Sequence, residues 1–207
     1  MRFVYSHSLI TCVAMPHPAR APRKQPSQRR SELTVEAILE AAARIFATDG
    51  LRGATTGRVA GLAGVSVGSL YQYFPNKVAL LAGVKQRHLR SLFGEIEAAL
   101  AKAEDLESGL RAAVRINAAR SLEARPLLLL FADELPARLA SRDVMPSDSP
   151  PAVAVRRFLH HHRREIPGRD PAVAAVVVVE LVDAVTRARL IEAPSDLEQG
   201  VLERELM

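Results

Sequence analysis

The chain has 207 residues, of which 48% are hydrophobic and 25% are charged, a composition typical of a globular protein with an ample core. Its single cysteine, Cys12, excludes an intramolecular disulfide and a cysteine-based metal cage, and it fits a reducing compartment. No run of about 18 uncharged apolar residues occurs, so we expect no membrane-spanning helix and no membrane partner.

Basic residues are concentrated in the N-terminal part of the chain. Residues 1–86 contain eleven Lys/Arg against four Asp/Glu, whereas residues 87–207 contain seventeen against nineteen. Such segregation predicts that the first part contacts a polyanion and that the second part does not.

The first 31 residues predict a flexible basic arm, because four prolines and five basic residues lie between positions 16 and 30. The arm either contacts phosphates or serves only as a solubilising tail. The apolar run at the extreme N-terminus is broken by Ser6, His7 and Thr11, which argues against a secretion signal and favours a cytoplasmic protein. Translation starting at Met15 is an alternative to Met1.

Three short helices are predicted next. The first covers about 34–48 and stops at Asp49-Gly50, because apolar residues recur there at helical spacing. Thr55-Thr56 predicts the start of a second helix whose inward residues are Val59, Leu62 and Ala63. After a turn at 64–66, a third helix should span about 67–74. A glycine in the turn allows the backbone to reverse sharply between the second and third helices, as in a helix-turn-helix.

The rest of the chain also predicts helices. A long fourth helix should span about 77–102, with an apolar stripe along its length. Prolines and glycines then divide the chain into helical segments near 105–122, 126–140, 150–165, 171–191 and 195–206. No strand-like alternation competes with them, so the predicted fold class is all-α.

The stretch ILEAAARIFATDGLRGATTGRVAGLAGVSVGSLYQYFPNKVALLAGV resembles the DNA-binding domain of TetR-family transcriptional regulators. The resemblance implies an N-terminal three-helix helix-turn-helix domain at 32–80. It also implies a helical effector-binding and dimerisation domain at 81–207, with the basic arm at 1–31. The partners implied are palindromic double-stranded DNA, a second copy of the chain and an unknown small-molecule effector, with no cofactor and no metal.

The resemblance also implies a set of DNA-binding residues. The N-terminal end of the third helix would lie near bases, and residues around it would hold phosphates. The candidates are Thr56, Arg58, Ser66, Val67, Gly68, Ser69, Tyr71, Tyr73 and Lys77. Because the tip of the third helix offers only two serines, a valine and a glycine, we expect weak direct base recognition and a contribution from DNA shape.

The C-terminal half gives weaker signals. Polar residues or a phenylalanine on apolar segments are candidate effector contacts, with surface or salt-bridged positions as the alternative: Asn117, Arg120, Phe131, Glu134, Glu180 and Asp183. The segment 172–185 is apolar on nearly every side, which predicts that most of its faces are covered. The last two segments would pair across a two-fold axis in a dimer, or else both lie within one subunit's core.

The triplet His160–His162 cannot chelate one metal ion, because consecutive helical residues point in different directions, and we predict a basic exposed face there.

No catalytic motif is found, so an enzyme is not expected. The predicted function is a homodimeric DNA-binding repressor that a small molecule releases from its operator. The alternative is an architectural or activating DNA-binding protein without an effector.

Overall fold

The computed structural model describes residues 28–135 and 149–205, with side chains from residue 30 onward. Within these ranges the chain forms helices and no strand, which confirms the all-α prediction. The helices, in chain order, are α1 (Gln28–Gly53), α2 (Thr56–Ala63), α3 (Val67–Tyr73), α4 (Lys77–Leu100), α5 (Leu106–Glu123), α6 (Arg125–Glu134), α7 (Pro150–His161), α8 (Pro171–Glu192), α9 (Pro194–Glu198) and α10 (Val201–Glu205).

Most of the predicted basic arm, both candidate start sites and residues 136–148 lie outside the described residues. The first helix begins earlier than predicted, at Gln28, and residues beyond the predicted stop are still helical. Gly50 nevertheless interrupts it, with φ 63° and ψ −173°, so the predicted break is a kink inside α1. A glycine is suited to that backbone conformation because it lacks a Cβ.

The N-terminal helices enclose a dense core that extends beyond the first three helices. Residues from α1, α2, α3 and the first half of α4 form one buried cluster, centred on Ile38, Phe46 and Leu81. Phe131 of α6 and Leu135 belong to the same cluster. The segment 125–135 therefore packs against α1 and α4, which could not be predicted from local sequence patterns.

The second half of α4 leads into a separate packing region. Leu92, Ile96 and Leu100 contact residues of α7 and α8, as the predicted apolar stripe requires. Gly109 of α5 faces the ring of Phe158 in α7 so closely that a Cβ would collide with it. The absence of a side chain at this position is what lets α5 and α7 approach each other.

Three predictions about the helices were wrong. The segment 195–206 is two short helices, because Gly200 adopts φ 65° between them. Leu62, expected to point inward, is 53% exposed, while Ala60 is buried in its place. His162, expected on an exposed face, is buried against Phe158, with ring centroids 4.6 Å apart, and its Nδ1 lies 2.6 Å from Glu165 Oε1.

None of the helices in the described ranges is long and apolar enough to cross a membrane.

Candidate nucleic-acid interface

The start of α2 is fixed by Thr55. Its backbone is extended, and its hydroxyl accepts a hydrogen bond from the Arg58 amide at 3.2 Å, which is the geometry of a helix N-cap. Of the two threonines that predicted the start of this helix, Thr55 is the cap and Thr56 is the first helical residue. The Thr56 hydroxyl is therefore not used in capping and lies 3.4 Å from Tyr71 Oη of α3.

The turn between α2 and α3 has the predicted geometry. Gly64 adopts φ 67° and ψ 29°, a left-handed conformation that ends α2, and its N–H donates to carbonyls of the preceding turn. The Val65 amide donates to Ala60 O at 3.0 Å, and its side chain packs against the buried cluster. These contacts set the direction in which α3 leaves the turn.

The N-terminal tip of α3 is exposed, as an element that enters a DNA groove must be. Ser66 caps the helix, with Oγ accepting from the Ser69 amide at 3.0 Å and lying 2.9 Å from Ser69 Oγ. Val67 is 42% exposed and Gly68 is exposed beside it. Leu70, on the opposite side, is fully buried and holds α3 against the core.

The predicted phosphate contacts lie around this tip. Tyr71 is half-exposed, and its hydroxyl lies close to that of Thr56, so the two could share one phosphate oxygen. Lys77 is the first residue of α4, and its Nζ donates to Leu51 O at 3.3 Å. Tyr73 is half-buried and packs against the N-terminal core, which leaves it the least available of the predicted phosphate contacts.

Arg58 is held against α1 rather than extended into solvent. Its guanidinium lies 2.5 Å from Asp49 Oδ2 and donates to Gly53 O at 2.8 Å. The hydrogen bond from Arg58 holds the pKa of Asp49 below its ordinary value. Arg58 is thus a brace between α1 and α2 in this structure, and a contact with DNA would require it to leave these partners.

The electrostatic character of this surface suits an anion. The first turns of α2, α3 and α4 contain no acidic residue. Helix N-termini carry a partial positive charge and unpaired N–H groups, so acidic residues usually stabilise them. Three starts without that compensation, with Lys77 at one of them, form a surface that can bind phosphate groups.

The sequence of this region also matches a known protein family. The model of the family "Bacterial regulatory proteins, tetR family" matches residues 38–84, which cover the end of α1 through the start of α4. This match supports a TetR-family transcriptional regulator. Regulators of this family bind DNA operators, act as dimers with small-molecule effectors and are non-enzymatic transcription factors.

Two TetR-type regulators of known role are similar to the chain. The transcriptional repressor KstR2 of Rhodococcus jostii is 31% identical over 109 residues, covering 53% of this chain and 51% of that protein. The transcriptional activator FasR of Mycolicibacterium smegmatis is 37% identical over 95 residues, covering 46% and 40%. The chain thus spans about half the length, or less, of the curated relatives that it matches.

The fold of the whole chain is also found in TetR-family structures. A TetR-family regulator from Pectobacterium atrosepticum superposes with a TM-score of 0.68, covering 87% of this chain and 95% of that one, at 20% sequence identity. At that identity the likeness concerns the fold alone. The shared fold includes the helical C-terminal half as well as the helix-turn-helix region.

The predicted effector residues fall into two places. Asn117 of α5 donates to Thr186 Oγ1 of α8 at 2.9 Å, and Asp183 lies one turn before Thr186. Phe131 is buried in the N-terminal core, and Glu134 is exposed at the end of α6. The structure therefore does not bring all six predicted residues together.

The residues near α4, α5 and α8 form a half-buried polar cluster. Arg120 contacts Glu123 at 2.7 Å, Ser91 at 3.3 Å and Glu95 at 3.4 Å. Burial, with a smaller contribution from Arg120, lowers the pKa of His88 in α4. Burial raises the pKa of Asp183, although Arg187 lies 2.9 Å away. Glu180, on the same helix, has a polar or ionic partner too.

A surface groove of about 280 Å³ lies elsewhere, between α7 and the start of α8. Its lining consists of Arg156, Arg157, His160, Asp170, Pro171 and Ala172. None of the six predicted effector residues lines it. Arg157 is paired there with Glu97 of α4 at 2.6 Å.

One polar residue on the exposed side of α3 is not among the predicted DNA contacts. Gln72 is exposed and lies one helical turn after Gly68. Placing the buried Leu70 on a helical wheel would have shown that residues 68 and 72 share the outward face.

Proposed function

We propose that this chain is a homodimeric, sequence-specific DNA-binding transcriptional regulator of the cytoplasm, and that a small molecule releases it from a palindromic operator. The observation that carries the proposal is the surface around α3. There the exposed tip of α3 lies beside the starts of α2 and α4, and none of the three first turns contains an acidic residue. The side chains of Thr56, Tyr71 and Lys77 lie on the same surface. Phosphate contacts from such groups fix the register of a helix in the major groove.

The residues proposed to contact DNA have different roles. The tip, Ser66 to Ser69, lies near bases. Thr56, Tyr71, Tyr73 and Lys77 hold phosphates, and Arg58 does so only if it exchanges its partners in α1. The division into an arm at 1–31, a DNA-binding domain at 32–80 and a C-terminal domain at 81–207 remains part of the proposal. The buried cluster supports a close connection across that last boundary, since it includes Phe131.

The outer face of α8 supports the second copy. Val173, Val177, Leu181 and Ile191 are between 47% and 62% exposed and recur on one side of the helix over five turns, whereas Ala175, Thr186 and Leu190 bury the other side. A contiguous apolar stripe of this kind marks an interaction site. A two-fold axis across it would set two copies of α3 at one spacing, as two half-sites require.

The last helices contribute differently from the predicted pairing. Leu197 and Leu202 are buried against Val114 and Ala118 of α5 within one subunit. In the proposal, α9 and α10 support α8 from inside, and α8 supplies the apolar surface for the second copy.

The effector would act through α6. Arg125 Nε donates to Leu190 O of α8 at 3.0 Å, while Phe131 at the other end of the same helix lies in the N-terminal core. A ligand that prefers one arrangement of α5 and α8 can thus shift α6 and the N-terminal core. It changes DNA affinity only by its differential affinity for the two arrangements.

Recovery of genomic fragments by the purified chain tests the proposal. We expect enrichment of one or a few palindromic sites, and release of the protein when the right small molecule is titrated into the complex. Dispersed binding without a common site, and no release by any candidate effector, would favour the architectural alternative. KstR2 is named a repressor and FasR an activator, so in vitro transcription from the recovered promoter is needed to tell whether this chain represses or activates transcription. We expect repression.

A further inference from the structure

The polar side chains at the tip of α3 are occupied by the helix itself. Ser66 Oγ accepts from the Ser69 amide and lies within hydrogen-bond distance of Ser69 Oγ. Val67 and Gly68 have no polar side chain. The tip can approach bases closely, but it has little hydrogen-bonding capacity with which to distinguish them.

Gln72 is the long polar side chain on the same outward face. It is exposed, and no hydrogen bond or ion pair ties its amide to the described part of the chain. Leu70 fixes the orientation of α3 by its full burial, so Gln72, two residues later, is directed away from the core. Its amide keeps both its donors and its acceptor available for an external partner.

Gly68 leaves space in front of this amide. Helical side chains lean toward the N-terminus, so Gln72 covers the turn that contains residue 68. A Cβ at Gly68 would meet only Ser66 Oγ, at 3.8 Å, so packing within the subunit does not require a glycine here. A bare turn beside an unpaired amide lets a base edge reach that amide.

We propose that Gln72 reads an adenine in each half-site. Its amide would accept from N6 and donate to N7 in the major groove, with Gly68 providing the room for the base pair. The inference rests on the proposed function and adds to it the side chain that determines sequence preference. Thr56, Tyr71 and Lys77 would hold the backbone regardless of sequence.

Selection from random duplexes tests this with Gln72→Ala, Gln72→Glu and, as the matched control, Gln86→Ala on the exposed side of α4. Gln72→Ala should lose its preference at one base pair in each half-site and bind the best site roughly tenfold to hundredfold more weakly. Gln72→Glu should move the preference toward cytosine, whose N4 donates to a carboxylate. Gln86→Ala should behave as the wild type.

Base analogues locate the contact at single atoms. At the position identified by the selection, 7-deazaadenine removes the N7 acceptor and nebularine removes the N6 donor. Both should weaken wild-type binding severalfold and leave Gln72→Ala unaffected.

If Gln72→Ala binds DNA with the wild-type preference at every position, the role of Gln72 is refuted while the proposed function stands. If the wild type itself selects no sequence, the proposed function fails.

Discussion

The two halves of this molecule differ in how their buried and exposed apolar side chains are distributed. The largest fully buried side chains of the described residues all lie between positions 38 and 84: Ile38, Phe46, Val59, Leu70, Leu80, Leu81 and Val84. In the C-terminal half, α8 leaves four large aliphatic side chains exposed. The exposed apolar side chains of the N-terminal region, such as Leu33, Leu62 and Val67, lie on three different helices, whereas those of α8 lie along one face that a second copy can cover.

This difference matches the two tasks in the proposed function. A surface that binds DNA through polar groups must be held rigidly, and a tightly packed core beneath it provides that rigidity. A dimer interface must instead stay apolar and uncovered until two copies meet. Helix α6 joins the two regions, because it contacts α8 at one end and the N-terminal core at the other.

The largest effect is expected in the N-terminal core. Phe46→Ala should lower the free energy of unfolding by about 3–5 kcal/mol, because it leaves a cavity in a fully buried site. Urea denaturation measures this. Leu33→Ala, on the same helix but 66% exposed, should change stability by less than about 0.5 kcal/mol. Equal effects of the two variants would contradict the description of a closed core.

A charged substitution on the exposed face of α8 tests whether this face forms the dimer interface. Leu181→Glu should weaken dimerisation by about 2–4 kcal/mol, since it places a carboxylate in an apolar interface. Sedimentation velocity over a concentration series gives the dissociation constant, and Leu33→Glu is the matched surface control. A Leu181→Glu protein that remains as dimeric as the wild type would move the dimer interface away from the α8 stripe.

The phosphate contacts are expected to have a smaller effect. Lys77→Ala should weaken binding to all DNA sequences by about 1 kcal/mol and reduce the slope of log affinity against log salt by about one. Lys102→Ala, an exposed lysine just beyond the other end of α4, should change neither. An altered sequence preference with unchanged affinity in Lys77→Ala would show that Lys77 reads bases instead.

Two glycines of the helix-turn-helix are expected to have small effects of opposite sign on stability. Gly61→Ala should stabilise the protein by about 0.5–1 kcal/mol, because it is helical and a Cβ there meets nothing within 4 Å. Gly64→Ala should destabilise it by about 1–2 kcal/mol, because its φ is 67°. Thermal denaturation of the pair measures both changes, and two changes of the same sign would contradict the turn geometry.

The elements fixed by local chemistry could be predicted from the sequence. The turn at residues 64–66 and the start of α2 near Thr55-Thr56 depend on neighbouring residues. The family resemblance gave the candidate DNA-binding residues, which stay a prediction. The break in α1 followed from Gly50, although the residues after it form another helical turn.

Features that depend on distant contacts could not be predicted. Phe131 packs against residues about ninety positions earlier, so its segment gave no sign that it belongs to the N-terminal core. Arg58 is a predicted DNA contact, but its guanidinium is bound by Asp49 of α1. The basic neighbours of His162 predict an exposed side chain, whereas its ring packs against Phe158 and lies 2.6 Å from Glu165 Oε1.

The central claim is that two copies of the chain dimerise through the exposed apolar face of α8, so that each copy presents its own DNA-binding surface to one half-site. A hydroxyl-radical footprint on a recovered genomic fragment, with the binding stoichiometry measured on the same fragment, tests it most directly. We predict two chains per site and two protected half-sites related by two-fold symmetry, about 10 base pairs or a multiple of that apart. Leu181→Glu should lose this footprint at concentrations where the wild type gives it. A single protected half-site with one bound chain, unchanged by Leu181→Glu, would contradict the claim.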